Sequence, residues 1–136
     1  MKHLRFLLAI LFLVTVQFSW GQNPGSDFFN PNRFPNSIDA AKRGDPKAQY
    51  EIAQCYEYGI GVTKNMNFAV YWYWKCADQD YSPGLNALGC CYFKGEGVQQ
   101  DYIIAALLFK RAAEKGSLAG EVNYKGAKKQ IEQSFP

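Results

Sequence analysis

Slid against itself by 36 residues, the chain falls into register from Ala40 onward, and this period constrains its fold more than any other feature. Ala40-Ala41 lies over Cys76-Ala77 and then over Ala112-Ala113, while Gly44 lies over Asp80 and then over Gly116. Inside the unit, Gly59-Ile60-Gly61-Val62 lies over Gly95-Glu96-Gly97-Val98, Asn65 over Asp101, Ala69 over Ala105, Tyr56 over Tyr92 and Lys75 over Arg111. A chain patterned in this way stacks copies of one small unit, because no single copy can bury its apolar face alone.

The matched positions punctuate two helices per unit. Asp45-Pro46 and Ser82-Pro83 each set a capping oxygen before a proline suited to a first helical turn. Gly59 and Gly95 fall where a helix closes on a left-handed residue, and Gly61 and Gly97 keep the following loop tight. Asn65 and Asp101 then cap the second helix. Between the caps, Ala48, Ile52, Cys55 and Tyr56, and then Ala69, Trp72, Tyr73 and Cys76, recur at three- and four-residue steps, so each helix has an apolar face. Small residues at Ala53, Gly89, Ala77 and Ala113 allow close approach, and Tyr56, Trp72, Tyr73, Tyr92 and Phe109 fill the space between helices.

The expected fold is therefore all-α, a short solenoid of antiparallel helix pairs. Full repeats occupy 44–79 and 80–115, flanked by an orphan second helix from Ser37 to Arg43 and a closing helix from Ser117. In the closing helix Lys125 stands where Ala53 and Gly89 stood, and Lys128 replaces Tyr56 and Tyr92, which reads as a polar cap facing water.

At 136 residues, with 48% apolar and 16% aromatic, the chain has material for one modest core. Its start, Met1-Lys2-His3-Leu4-Arg5 followed by an apolar run from Phe6 to Val16 and then Ser19-Trp20-Gly21, has the form of a cleavable signal peptide over 1–21. The apolar run is short of the roughly 20 residues that span a bilayer, so no stable membrane insertion is expected after cleavage. The expected destination is a bacterial periplasm or the outside of the cell. Residues 22–36, QNPGSDFFNPNRFPN, read as an extended arm or linker, although Phe28, Phe29 and Phe34 give it reason to fold back on the 37–136 repeat body.

Without Lys2 and Arg5 the chain keeps 13 basic against 12 acidic residues, which steers nothing toward nucleic acid. The one histidine, His3, lies in the leader, so histidine-dependent acid-base chemistry, histidine-activated nucleophiles and histidine metal ligands have no source in the mature chain. No phosphate-cradling G-x-x-x-x-G-K, no H-E-x-x-H and no C-x-x-C occurs, so no cofactor, no metal and no catalytic residue is assigned.

Cys55, Cys76, Cys90 and Cys91 are even in number in an exported chain, which invites disulfides. Geometry opposes them. Cys55 and Cys76 sit at an axial offset of roughly 10 Å on paired helices, when bridged Cα atoms lie within about 7 Å. Cys55 and Cys91 are equivalent positions pointing the same way, and adjacent Cys90 and Cys91 do not bridge within a helix. Buried free thiols are the expectation.

The segments AQYEIAQCYEYGIGV and LNALGCCYFKGEGVQQDY, each followed by a helix closing in KCADQ or RAAEK, resemble the Sel-one-like repeat family, all-helical relatives of the tetratricopeptide repeats. The resemblance runs from Ser37 to about Asn123. It implies a right-handed superhelix with the first helix of each pair lining a concave face, and an adaptor role with an unknown protein or peptide as partner. Cysteine-rich members bridge the end of one second helix to the start of the next first helix, but Leu85 stands at the expected second position. Some relatives are linked to penicillin binding or β-lactamase activity, so a cell-wall-related protein is one alternative and a structural subunit of an envelope assembly another; no S-x-x-K serves the former.

Two surfaces are candidates for a partner. On the concave side Lys47, Glu51, Gln54 and Tyr58 continue as Pro83, Ala87, Cys90 and Lys94 and then Asn123, a mixed groove suited to an extended peptide or simply a solvated face. On the second helices, Tyr71 and Trp74 should point outward, followed one repeat later by Leu107 and Lys110 with Ile103 just before. A solvated face has no need of Tyr, Trp, Leu and Ile together. Either the helix is rotated so that these side chains are core, or the stripe is covered by the arm, by a second copy in a homodimer, or by a partner protein.

Overall fold

Local capping chemistry sets most of the helix boundaries. The structure, a computed structural model, describes residues 33–134. The expected signal peptide and most of the arm, with Phe28 and Phe29, lie outside the described residues. Six helices follow one another: α1 (Arg33–Lys42), α2 (Pro46–Tyr58), α3 (Met66–Asp78), α4 (Ser82–Lys94), α5 (Tyr102–Glu114) and α6 (Leu118–Ser134), with no strand among the described residues. Each packs mainly on the helix before it and the helix after it, and α4 also touches α6.

Asp45 caps α2 by accepting from the Ala48 N–H at 2.7 Å. Asn65 caps α3 from the Phe68 N–H at 3.2 Å, and Asp101 caps α5 from the Ile103 and Ile104 N–H groups at 2.8 and 2.9 Å. Each such cap is worth about 1 kcal/mol. Gly59 and Gly95 end α2 and α4 at φ 72° and 74°, as the glycine spacing predicts.

The cap expected at Ser82 is not one. The helix α4 opens on Tyr81, whose carbonyl accepts from the Leu85 N–H at 3.0 Å, so Ser82 already lies in the first turn. Its hydroxyl instead donates to the Ala112 carbonyl at 3.4 Å, tying α4 to the far end of α5. The repeat frame explains the error: Asp45 aligns with Tyr81 and then Ser117, and Ser117 does cap, accepting from the Gly120 N–H at 3.0 Å.

The helix α1 begins at Arg33, four residues before the expected Ser37, and so takes in the end of the 22–36 arm. Pro35 is tolerated there because the first-turn N–H groups of a helix have no intrahelical acceptor. The gain is packing: the Phe34 ring meets Tyr56 edge-on with centroids 5.3 Å apart.

Three clusters form the core. Ala41, Ala48 and Ile52 join α1 to α2; Ala53, Tyr73, Cys76, Leu85, Leu88 and their neighbours join α2 through α5; Ala105, Phe109 and Ala127 join α5 to α6. Small residues set how closely the helices approach. A Cβ on Gly89 would lie 2.6 Å from the Phe109 ring. Gly84 lies on Cys76 and, one frame later, Gly120 lies on Ala112, so both junctions are spaced by a residue with no side chain. Gly84, one position before Leu85, stands directly against the Cys76 sulfur.

Two features separate the ends from the middle. The face by which α2 and α4 meet the following helix, Gln49/Ala53/Tyr56 and Leu85/Gly89/Tyr92, becomes Glu121/Lys125/Lys128 in α6, all exposed, with Lys125 on Glu121 at 2.8 Å. The opposite face, with Gly120, Tyr124, Ala127 and Ile131, packs back on α5. Between repeats, Asp80 takes φ 60° where the frame has Gly44 and Gly116, and its carboxylate accepts from Arg111 Nε at 2.6 Å and Lys115 Nζ at 2.9 Å.

Candidate functional site

The core positions of α3 and α5 determine what the same helices show to water. With Ala69, Tyr73, Cys76 and Ala77 turned inward, the three-residue steps put Phe68, Tyr71 and Trp74 on the outer side of α3. With Ala105, Ala106, Phe109 and Ala112 inward, Ile103, Ile104 and Leu107 are left outside on α5. Tyr71 is 49% exposed, Trp74 51%, Ile103 52% and Leu107 63%, so the helices are not rotated to bury them. The outward stripe read from the sequence exists, and it is wider than that reading had it. Phe68 and its frame partner Ile104 belong to it, one turn before Tyr71 and Leu107, a helical spacing that was open to inspection.

Lys75 modifies the stripe. Its ammonium lies 5.5 Å from the Tyr71 ring centroid and 5.8 Å from that of Trp74, a cation–π arrangement that keeps a charge beside exposed aromatics. Toward α1 the stripe drops into a groove of about 710 Å³ lined by Phe34, Ile38, Tyr56, Phe68, Tyr71 and Trp72, with Lys42 and Asn67 its polar members. The groove needs three helices to form, and α1 supplies two of its apolar side chains.

The concave candidates divide. Glu51 accepts from the Ser37 hydroxyl at 2.8 Å and Gln54 donates to the Tyr50 hydroxyl at 3.2 Å; both are half-buried and engaged within the fold. Tyr58 and Lys94 are exposed, and Lys94 approaches the exposed Glu96 at 3.8 Å. Burial and the Glu57 carboxylate push the Tyr58 hydroxyl above its ordinary value. The inner face is bridged by a contact the pattern did not single out, Asn123 Nδ2 donating to Asn86 Oδ1 at 2.9 Å.

Beneath this face Tyr73 donates its hydroxyl proton to Glu57, and burial together with that bond raises the tyrosine far above its ordinary value. All four cysteines are free thiols. Burial pushes Cys76 and Cys91 up to about 12 and raises Cys90 as well, so each is held as the protonated, poorly nucleophilic form near neutral pH. Among the described residues no group of three His, Cys, Asp or Glu side chains is placed to hold a metal ion, and no helix is long and apolar enough to cross a membrane. What this surface offers is apolar contact area on a serial stack of helices.

Comparison with known proteins matches the repeat frame directly. The family model for the Sel1 repeat fits residues 46–81 and 82–117. The chitin synthase regulator SKT5 of Saccharomyces cerevisiae is 34% identical over 68 residues, covering 50% of this chain and 10% of that protein. The crystal structure of c5321, a protective antigen of uropathogenic Escherichia coli with an SLR fold, superposes with a TM-score of 0.61 at 33% identity, covering 62% of this chain and 18% of that one. A Sel1 repeat protein from Oxalobacter formigenes gives 0.61 at 30% identity over 65% of this chain and 26% of its own. The chain thus spans between a tenth and about a quarter of the length of these relatives.

Proposed function

Because the chain belongs to the Sel1 repeat family, whose repeats mediate protein–protein interactions, we propose that it is an exported docking module that holds another protein and performs no catalysis of its own. One observation carries this reading: Trp74 on α3, and Ile103 and Leu107 at the matching repeat positions of α5, present large apolar side chains to water. Exposed aromatic and aliphatic side chains in a contiguous stripe are the usual anchors of a protein interface. Tyr58 and Lys94, exposed on the first helices of the two repeats, would serve as a secondary contact. Export rests on the leader pattern of residues 1–21.

The test is capture of a partner from an envelope extract by the mature chain, compared with two variants. Trp74→Ala combined with Leu107→Ala should lose the captured protein, and Tyr58→Ala combined with Lys94→Ala should retain it. Equal capture by wild type and the stripe variant would remove the stripe from the reading. Turnover of a β-lactam reporter by the purified chain would overturn its non-catalytic part, and an N-terminus at Met1 in the cytosolic fraction would overturn export.

A further inference from the structure

The joint between α1 and α2 is built differently from the joint between α3 and α4. Ser37 and Gln49, the buried polar side chains of the described residues, both lie at the first. Ser37 donates its hydroxyl proton to Glu51 at 2.8 Å. Gln49 donates through Nε2 to the Ala41 carbonyl at 3.1 Å, while its Oε1 accepts from Gln79 Nε2 at 2.8 Å. One frame later, where α3 rests on α4, the same two positions hold Tyr73 and Leu85, both buried members of the apolar core. The helix α1 thus seats in a second-helix slot, over Ala48, Ile52, Tyr56 and Trp72, but hydrogen bonds do part of the fastening that packing does at the next joint. Polar groups that regain water on separation give up only a modest net energy, whereas buried apolar contact is lost at full value.

We propose that α1 is a lid that opens as a unit at Gly44 and sets how much apolar surface α2 and α3 offer to a partner. The opened form strands no buried polar group: Gln49 keeps its bond from Gln79, and Ser37 and Glu51 turn to water. Asp45 caps α2 through the Ala48 N–H, so α2 keeps its first turn without α1. Gly44, at φ 100° with open space where a Cβ would stand, is the pivot. A helix of 10 residues does not hold its form in isolation, so undocking and melting are one event. Its departure uncovers Ala48 and Ile52 and joins them, through Tyr56 and Trp72, to the exposed Phe68 and Tyr71. This use of the lid rests on the docking reading of the outer stripe; the opening itself does not.

Native-state amide hydrogen exchange of the full chain, read helix by helix, tests the lid. The α1 amides should exchange at least roughly tenfold faster than those of α3 and α4, because a unit that opens alone exchanges below the global barrier. Ser37→Ala removes a hydrogen bond to a carboxylate and should speed α1 by a further factor of about ten, with α3 and α4 unchanged. Gln49→Leu, which copies the residue at 85, should slow α1. The Ala41 carbonyl then keeps its bond from the Gly44 N–H at 3.1 Å, and Gln79 keeps the Lys75 carbonyl at 3.4 Å. Exchange of α1 at the rate of α3 and α4 in the wild type, equal acceleration of all three helices by Ser37→Ala, or faster α1 exchange in Gln49→Leu would each overturn the lid. In the envelope-extract capture, Ser37→Ala should retain more partner than wild type. Unchanged capture beside faster α1 exchange would overturn the lid's control of docking, while the Trp74→Ala, Leu107→Ala variant tests the stripe reading separately.

Discussion

Replacing Gly120 by alanine and, separately, Gly126 by alanine sets one methyl group at two points of α6 with opposite expected results. Gly126 is exposed in the helix interior and a Cβ there meets nothing within 4 Å. Alanine should stabilise by about 1 kcal/mol through helix propensity alone. At Gly120 the new Cβ lands 2.8 Å from the Ala112 Cβ, 2.8 Å from the Ala113 nitrogen and 2.9 Å from the Phe109 carbonyl oxygen. None of these atoms can rotate aside, so α5 and α6 must part along the junction that seals the third cluster. Overpacking of this kind costs about 1–3 kcal/mol, against a propensity gain reduced by the position in the first turn. The net loss should be about 1–2 kcal/mol, a fall in Tm of about 5–10 °C for a domain of this size. Urea unfolding followed by circular dichroism measures both variants against wild type. If Gly120→Ala is as stable as the wild-type chain, the close approach of α5 and α6 is not what spaces the repeats.

Three further outcomes follow from buried and clamped groups. Tyr73→Phe removes the only hydroxyl that Tyr73 offers to Glu57 and should cost about 1–3 kcal/mol in urea unfolding; an unchanged midpoint would mean the bond contributes nothing. Hydrogen bonds from Lys115 and Arg111 hold the Asp80 carboxyl below its ordinary 3.8, so the stability it adds is present above that value and fades as the pH falls through the lowered one. Asp80→Asn should therefore flatten the acid limb of the stability profile, and an unaltered limb would refute the clamp. Cys76 and Cys91, raised to about 12, should resist iodoacetamide at pH 8 in the native chain and react in urea, with the half-buried Cys90 labelled first. The same shifts add stability below the ordinary 9.0 that is lost as the pH rises beyond it, and rapid native labelling of Cys76 would contradict the burial.

The parts of the fold that were legible are those fixed by one residue and its immediate neighbours. Gly59 and Gly95 announce left-handed stops, and Asn65 and Asp101 announce caps, because the groups they satisfy lie within a few residues. Ser82 misled because a serine before proline looks like the aspartate before proline at 45; only the repeat frame, followed to Ser117, shows that Tyr81 holds the cap position. The start of α1 was hidden by Pro35 and by an asparagine-rich context, and what decides it, the Phe34 contact with Tyr56, is 22 positions away in the chain. The same distance conceals the groove. Tyr71, Trp74, Ile103 and Leu107 follow from helical phase on single helices, whereas a groove shared by α1, α2 and α3 is a tertiary object. The Asp80 clamp was half visible: the frame set an aspartate among glycines, but its cations, Arg111 on α5 and Lys115 just past its end, come 31 and 35 positions later.

The serial packing, in which each helix rests chiefly on its chain neighbours, has a mechanical consequence. Among the described residues no substantial contact joins α1 to α6, so their relative placement is the accumulated product of successive joints, and a rotation at any one of them is multiplied by the lever beyond it. The Asp80 ion pairs and the side-chain-free contacts at Gly84 and Gly120 act as stiffeners at those joints. A protein seated along such a body is gripped by a leaf spring whose compliance is written one junction at a time.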